Sequence, residues 1–201
     1  MPERFRSRRR KEAETHGALL RPPPHIGGCV LAIAICGVLL ASAQTRYSTE
    51  YEIKAAVLFN LGQFVEWPSS AFASAESPLI VGILGQNPFG QSLERAVEGE
   101  IIQKRRIVVK YGETLDALGT SHILFICRSE ARKLPDILKS LKGKPTLTVS
   151  DMGQFAQNGG MVNLVTTADR VRMIVNAAKI EAAGLRASSK LLRIAELVKT
   201  E

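Results

Sequence analysis

SHILFICRSEARKLPDILKSLKGKPTLTVS, residues 121–150, decides the fold, because it reads strand, helix, strand without interruption. Residues 122–127 form an apolar run of strand length. Residues 129–141 carry Leu134, Leu138 and Leu141 at helical spacing, and residues 146–149 return to a strand. Two strands joined through a helix pair in parallel, since only a crossover can bring the chain back to the starting edge.

Working outward, the same alternation recurs. Upstream, residues 79–84 (LIVGIL) read as a buried strand, followed by Gly85, by Asn87 as a helix cap with Pro88 in the first turn, and by a helix through Glu98. Residues 106–111 give a further strand. Further upstream, Tyr51, Ala55, Leu58 and Val65 recur at helical spacing, widened by Ile53, Val57, Leu61 and Phe64, so a helix is expected over residues 50–67, stopped by Pro68. Downstream, residues 161–166 and 171–175 flank a short polar connection and predict an antiparallel hairpin. Two helices follow, the last over 188–199 with Ser188 as its cap and Leu191, Leu192, Ile194, Ala195 and Val198 inward. The expectation is an α/β fold, with a mixed, mainly parallel sheet flanked by helices and a C-terminal antiparallel hairpin, in a single domain over residues 44–201.

The composition, 45% hydrophobic and 23% charged, is that of a globular chain. Half of the net charge of +8 lies in residues 1–25, and residues 26–43 (IGGCVLAIAICGVLLASA) carry no charge and end in Ala41, Ser42, Ala43. This is the layout of a cleavable signal peptide over residues 1–43, with an n-region over 1–25, an h-region over 26–43 and cleavage before Gln44. The alternative is an N-terminal membrane anchor, for which 18 uncharged residues sit at the short edge of the ~20 that a spanning helix needs. An exported chain seldom meets nucleic acid, so Lys104, Arg105, Arg106 and Lys110 read as a solvated face. Cys29 and Cys36 fall inside the leader, which leaves Cys127 without an intrachain disulfide partner and His122 as the one histidine after it. That pair supplies neither a zinc site nor a nucleophile with its base.

Candidate sites are few. GILGQNPFGQ puts glycines between a strand and a helix but matches neither dinucleotide nor P-loop spacing. Asp151 ends a strand at the sheet edge where ligands collect, although Asp151 and Gln154 also have the spacing of a capping box. A small-ligand crevice would draw on Gly85, Asn87, Asp151, Gly159 and Gly160. Phe64 and Trp67 can be core anchors or, exposed at a helix end, partner contacts, with Glu66 in water between them and Pro68 behind. No GxSxG, HExxH or metal-ligand cluster is present in the sequence, so no catalytic residue, metal or cofactor is expected.

The order YEIKAAVLFNLGQFVEWP, LIVGILGQNPFGQSLE, SHILFI, TLTVSDMGQFAQNGGMVNLV, NAAKIEAAGLRASSKLLRIAELV resembles the YfiR family of periplasmic proteins over nearly all of residues 50–198. That resemblance implies an exported, often dimeric, non-enzymatic inhibitor that binds the periplasmic sensory region of a membrane-bound diguanylate cyclase and lowers cyclic di-GMP. It implies no cofactor. Where the family frequently carries cysteine before the HILFI strand this chain has Ser121, and where an aromatic is common it has Met173, so disulfide-based redox control is not implied. The competing function is a periplasmic small-ligand sensor.

Overall fold

Strands β2 (Leu79–Leu84), β5 (Ile123–Ile126) and β6 (Leu147–Ser150) lie side by side in parallel at the middle of a mixed sheet, in a computed structural model that describes residues 49–168 and 170–198. The expected leader over residues 1–43 lies outside the described residues. These strands are buried on both faces, which is why they read as near-continuous apolar runs rather than alternating ones. Ile123 and Phe125 enter one core and Leu124 and Ile126 the other.

The sheet order is β10-β8-β7-β6-β5-β2-β4-β3. β4 (Arg105–Gly112) pairs parallel to β2, and β3 (Ile101–Ile102) pairs antiparallel to β4 through a turn at Gln103 and Lys104, both at positive φ. On the other side β7 (Val162–Thr167) is parallel to β6 and forms the expected hairpin with β8 (Arg170–Val175), to which β10 (Glu196–Leu197) adds in parallel. A separate antiparallel pair joins β1 (Val65–Glu66) to β9 (Arg186–Ala187). The fold is therefore α/β with a mainly parallel sheet, as the strand and helix alternation predicts.

Helices cover both faces. The larger core takes α1 (residues 49–64), α2 (Ser92–Val97), α5 (Ala177–Ala182) and α6 (Ser189–Ile194), through Leu58, Leu93, Ile180 and Leu191. The smaller takes α3 (Leu115–Leu118), α4 (Leu134–Ser140) and the irregular segment 151–160, through Leu118, Ile137 and Phe155.

Several boundaries differ from the sequence reading, at two helix ends because a strand pairing wins over local propensity. The first helix stops at 64 rather than 67, since Val65 and Glu66 are drawn into pairing with β9. Asn87 does not cap α2: its Oδ1 accepts from Phe89 N and its Nδ2 donates to Gly90 O, which makes a turn and delays the helix to Ser92. The helix expected over 129–141 begins as a 3-10 turn, Arg128–Lys133, before α4. The last helix ends at Ile194, which is 57% exposed, because the next residues join β8 as β10.

Candidate functional site

Strand connections leave β2 toward β4 on one side and leave β5 toward β6 on the other, so the sheet has its topological switch between β2 and β5. In parallel sheets the crevice beyond the carboxyl ends of such strands is the natural ligand position. Here that crevice has a volume of about 220 Å³ and is lined by Tyr51, Gln86, Asn87, Pro88, Arg128, Ser129 and Asp151.

Its floor is a buried charge network. Asp151 Oδ2 accepts from Tyr51 Oη and from Lys54 Nζ, both at 2.7 Å, and Arg128 Nε lies 3.2 Å from Oδ1. Lys54 is fully buried, and its Nζ also meets Glu50 Oε1 at 2.5 Å. Burial by itself would raise the Asp151 carboxyl. The hydrogen bonds from Lys54 and Tyr51, with the charges of Lys54 and Arg128, outweigh it and hold the group below its ordinary value. Glu50 follows the same logic, with burial opposed by Lys54 and Thr166. An ionised carboxylate between two cations and a phenol, with these groups already engaged with one another, is an anchor that fixes α1 to the sheet edge.

The sequence-predicted residues divide. Asn87 and Asp151 meet at the crevice, and Gly85 stands just before it, at φ 94° with Ser129 packed where a Cβ would be. Gly159 and Gly160 do not line it. Gly159 takes the positive φ its position requires, 99°, while the Phe155 ring packs directly over Gly160, leaving no room for a Cβ. The expected capping box at Asp151 and Gln154 does not form: no helix follows, Gln154 sits at φ 57°, and the Asp151 side chain is spent on Tyr51, Lys54 and Arg128. Buried Asn163 holds the segment instead, accepting from Phe155 N at 3.1 Å and donating to Met152 O at 2.8 Å and Ser150 O at 3.2 Å.

Within the expected contact segment, Trp67 is taken into the core, its Nε1 donating to His122 O at 3.2 Å. Glu66 is exposed, and Phe64 and Pro68 are half-buried, with Lys190 Nζ 5.0 Å above the Phe64 ring. Arg105, read as part of a solvated face, instead stacks 3.6 Å over Phe72 and donates to Ser74 O and Ser77 O at 2.9 and 2.6 Å. Cys127 is buried and free, and burial, followed by the Asp151 and Glu130 charges, pushes its thiol up to about 12. No group of acids, cysteines and histidines able to hold a metal occurs among the described residues.

Sequence reasoning overlooked Lys54, Tyr51 and Arg128. The signal was present: Tyr51, Lys54, Leu58, Leu61 and Val65 are spaced three and four apart, so Lys54 stands in the middle of the apolar stripe, while Ile53, read as part of it, is 40% exposed.

No curated protein matches the sequence. A family model described as YfiR/HmsC-like matches residues 51–196, a span that opens on Tyr51, the first side chain of the crevice, and closes on Glu196 in the last strand. Together with the α/β architecture, that match places the chain in the YfiR/HmsC-like family.

Proposed function

We propose that the protein is a periplasmic, non-enzymatic regulator that binds the sensory region of an inner-membrane diguanylate cyclase and restrains it, lowering cyclic di-GMP. The observation that carries this reading is the family match over residues 51–196. Its support in the site is chemical: the ionisable groups gathered at the crevice neutralise one another in a fixed network, an arrangement suited to holding shape rather than moving protons. Among the described residues no helix is long and apolar enough to cross a membrane.

The contact surface we assign is the turn that leaves α1. Glu66 is exposed there, beside half-buried Phe64 and Pro68, while Trp67 serves as the internal post behind them. An inhibitor shifts its target only by binding the inactive conformation more tightly, so a surface charge at the contact is expected to tune that difference. Deleting the gene should raise cellular cyclic di-GMP, the wild-type gene should restore it, and Glu66→Lys should restore it incompletely. Arg186 stands opposite Glu66 across β1 and β9, so the substitution also places like charges together, at a cost of about 0.2–1 kcal/mol. Circular dichroism of the purified variant separates that cost from loss of binding. Unchanged cyclic di-GMP on deletion, in cells shown to make the protein, would overturn the regulatory reading.

A further inference from the structure

β3 pairs with Arg105 and Arg106 at the start of β4 and goes no further, because the chain ahead of Ile101 turns back to α2, with Glu100 N donating to Val97 O at 3.1 Å. From Ile107 to Tyr111, β4 has β2 on one side and no strand on the other among the described residues. Five residues is an ordinary strand length, so the gap has room for one more strand.

The direction of the backbone groups follows from the register. Gly112 O accepts from Gly85 N at 2.9 Å, so Gly112 turns its backbone toward β2, and by alternation Lys110 and Val108 do the same. Ile107, Val109 and Tyr111 therefore turn their N–H and C=O groups to the open side, a row of backbone donors and acceptors that an extended chain can pair with.

Side chains alternate as well. Ile107 and Val109 pack against the larger core, whereas Arg106, Val108 and Lys110 are exposed on the other face. Neither Arg106 nor Lys110 forms a salt bridge among the described residues, and the nearest acids in sequence, Glu100 and Glu113, stand beyond the two ends of the open run. These charges select the occupant. Two copies of the chain joined antiparallel through this edge would gather Arg106 and Lys110 of both on one face, and like charges across a strand pair are destabilising. A strand with acids at alternate positions meets the reverse situation. One carboxylate falls opposite Lys110, and the next, opposite Val108, is diagonal to both Arg106 and Lys110.

We propose that the open edge of β4 takes in an extended acidic segment of a partner protein as an added strand, antiparallel to β4, with its acids on the Arg106 and Lys110 face and apolar residues on the face of Ile107 and Val109. This surface is distinct from the turn that leaves α1, and its occupation is read on the purified protein without a cyclase, independently of the regulatory reading.

The test is an NMR titration, with amide hydrogen exchange, using the peptide Val-Glu-Val-Glu-Val flanked by serines, at the millimolar concentrations suited to short strands. In the free protein the amides of Ile107, Val109 and Tyr111 should exchange rapidly, with shifts that do not change on dilution. The peptide should shift them saturably and slow their exchange. Its counterpart with lysine in place of both glutamates should bind about tenfold more weakly, the worth of two cross-strand charge pairs. N-methylation of the three valines keeps every side chain but removes the amides that face β4, and should abolish binding. The double variant Arg106→Glu with Lys110→Glu changes only exposed side chains, so it should fold as the parent does and prefer the lysine peptide. Absence of saturable shifts at the edge, equal or tighter binding of the lysine peptide, undiminished binding of the N-methylated peptide, or an unaltered preference in the double variant would each overturn the proposal. Protection of the three amides without peptide, or shifts that follow protein concentration, would give the edge to the chain itself or to a second copy and overturn it too.

Discussion

Lys54 and Asp151 illustrate how a single buried pair organises the chain around it. The two are joined at 2.7 Å with side-chain exposures of 0% and 1%, so neither ion can recover its hydration while the fold is intact. Removing one partner leaves the other as an uncompensated buried charge, a loss of about 3–5 kcal/mol in such settings. Asp151→Ala should therefore lower the urea midpoint sharply, and the double variant Lys54→Met with Asp151→Leu should cost less than the sum of the two single changes, because it removes both charges and keeps the volume filled. Additive losses in that cycle would show the pair to be uncoupled. The pair was legible only in half. Asp151 stands out at a strand end, but a capping box explains it equally well in one dimension, and only the packing of α1 over β6 reveals that its partner comes from a lysine inside an apolar stripe.

Among the elements, those that carry a period were readable and those that do not were not. β2 agrees with the sequence reading residue for residue, and β5 and β6 differ from it by one residue at one or both ends, because their apolar runs are bounded by polar or turn-forming residues. β1, β3, β9 and β10 have two residues each, too short to hold a pattern, and exist because a neighbouring strand offers free backbone groups. α6 shows both outcomes. Its start follows the expected cap, Ser188 Oγ accepting from Leu191 N at 3.3 Å, whereas its end is set by β10 and not by helix propensity. Ser188→Ala should cost about 1 kcal/mol in thermal or urea unfolding. Ser189→Ala, one residue inside the helix and exposed, should stay within about 0.5 kcal/mol of the parent. Equal effects from both would remove the cap as the cause.

For the molecule as a whole, acid is the predicted weakness. His122 accepts from Ile80 N at Nδ1 and is bonded to Ala71 O through Nε2, so a proton added at Nδ1 would face an N–H donor and break the first bond. Burial leads in holding its pKa below the ordinary 6.5, and the nearby Arg105 charge acts in the same direction, against the Ala71 bond. The unfolded chain takes up that proton as pH falls through about 6.5 while the folded chain resists, so the contribution is complete above that value and declines below it. Asp151, also depressed, contributes fully above its unfolded value of 3.8 and loses that contribution as pH falls through its lower folded value. Urea midpoints should therefore decrease from pH 7 to pH 5, and His122→Gln should flatten that upper part of the profile; an unchanged slope in the variant would assign it elsewhere. The long reach between Lys54 and Asp151, 97 residues, also bears on the chain's birth. Synthesis at roughly 5–20 residues per second makes α1 about 5–20 s before Asp151 exists, with Glu50 of the same helix as the one acid of the finished network then at hand. For that interval the fully buried Lys54 of the finished protein is an ordinary solvated amine on an undocked helix, and the closing of α1 onto the sheet has to wait for the appearance of β6.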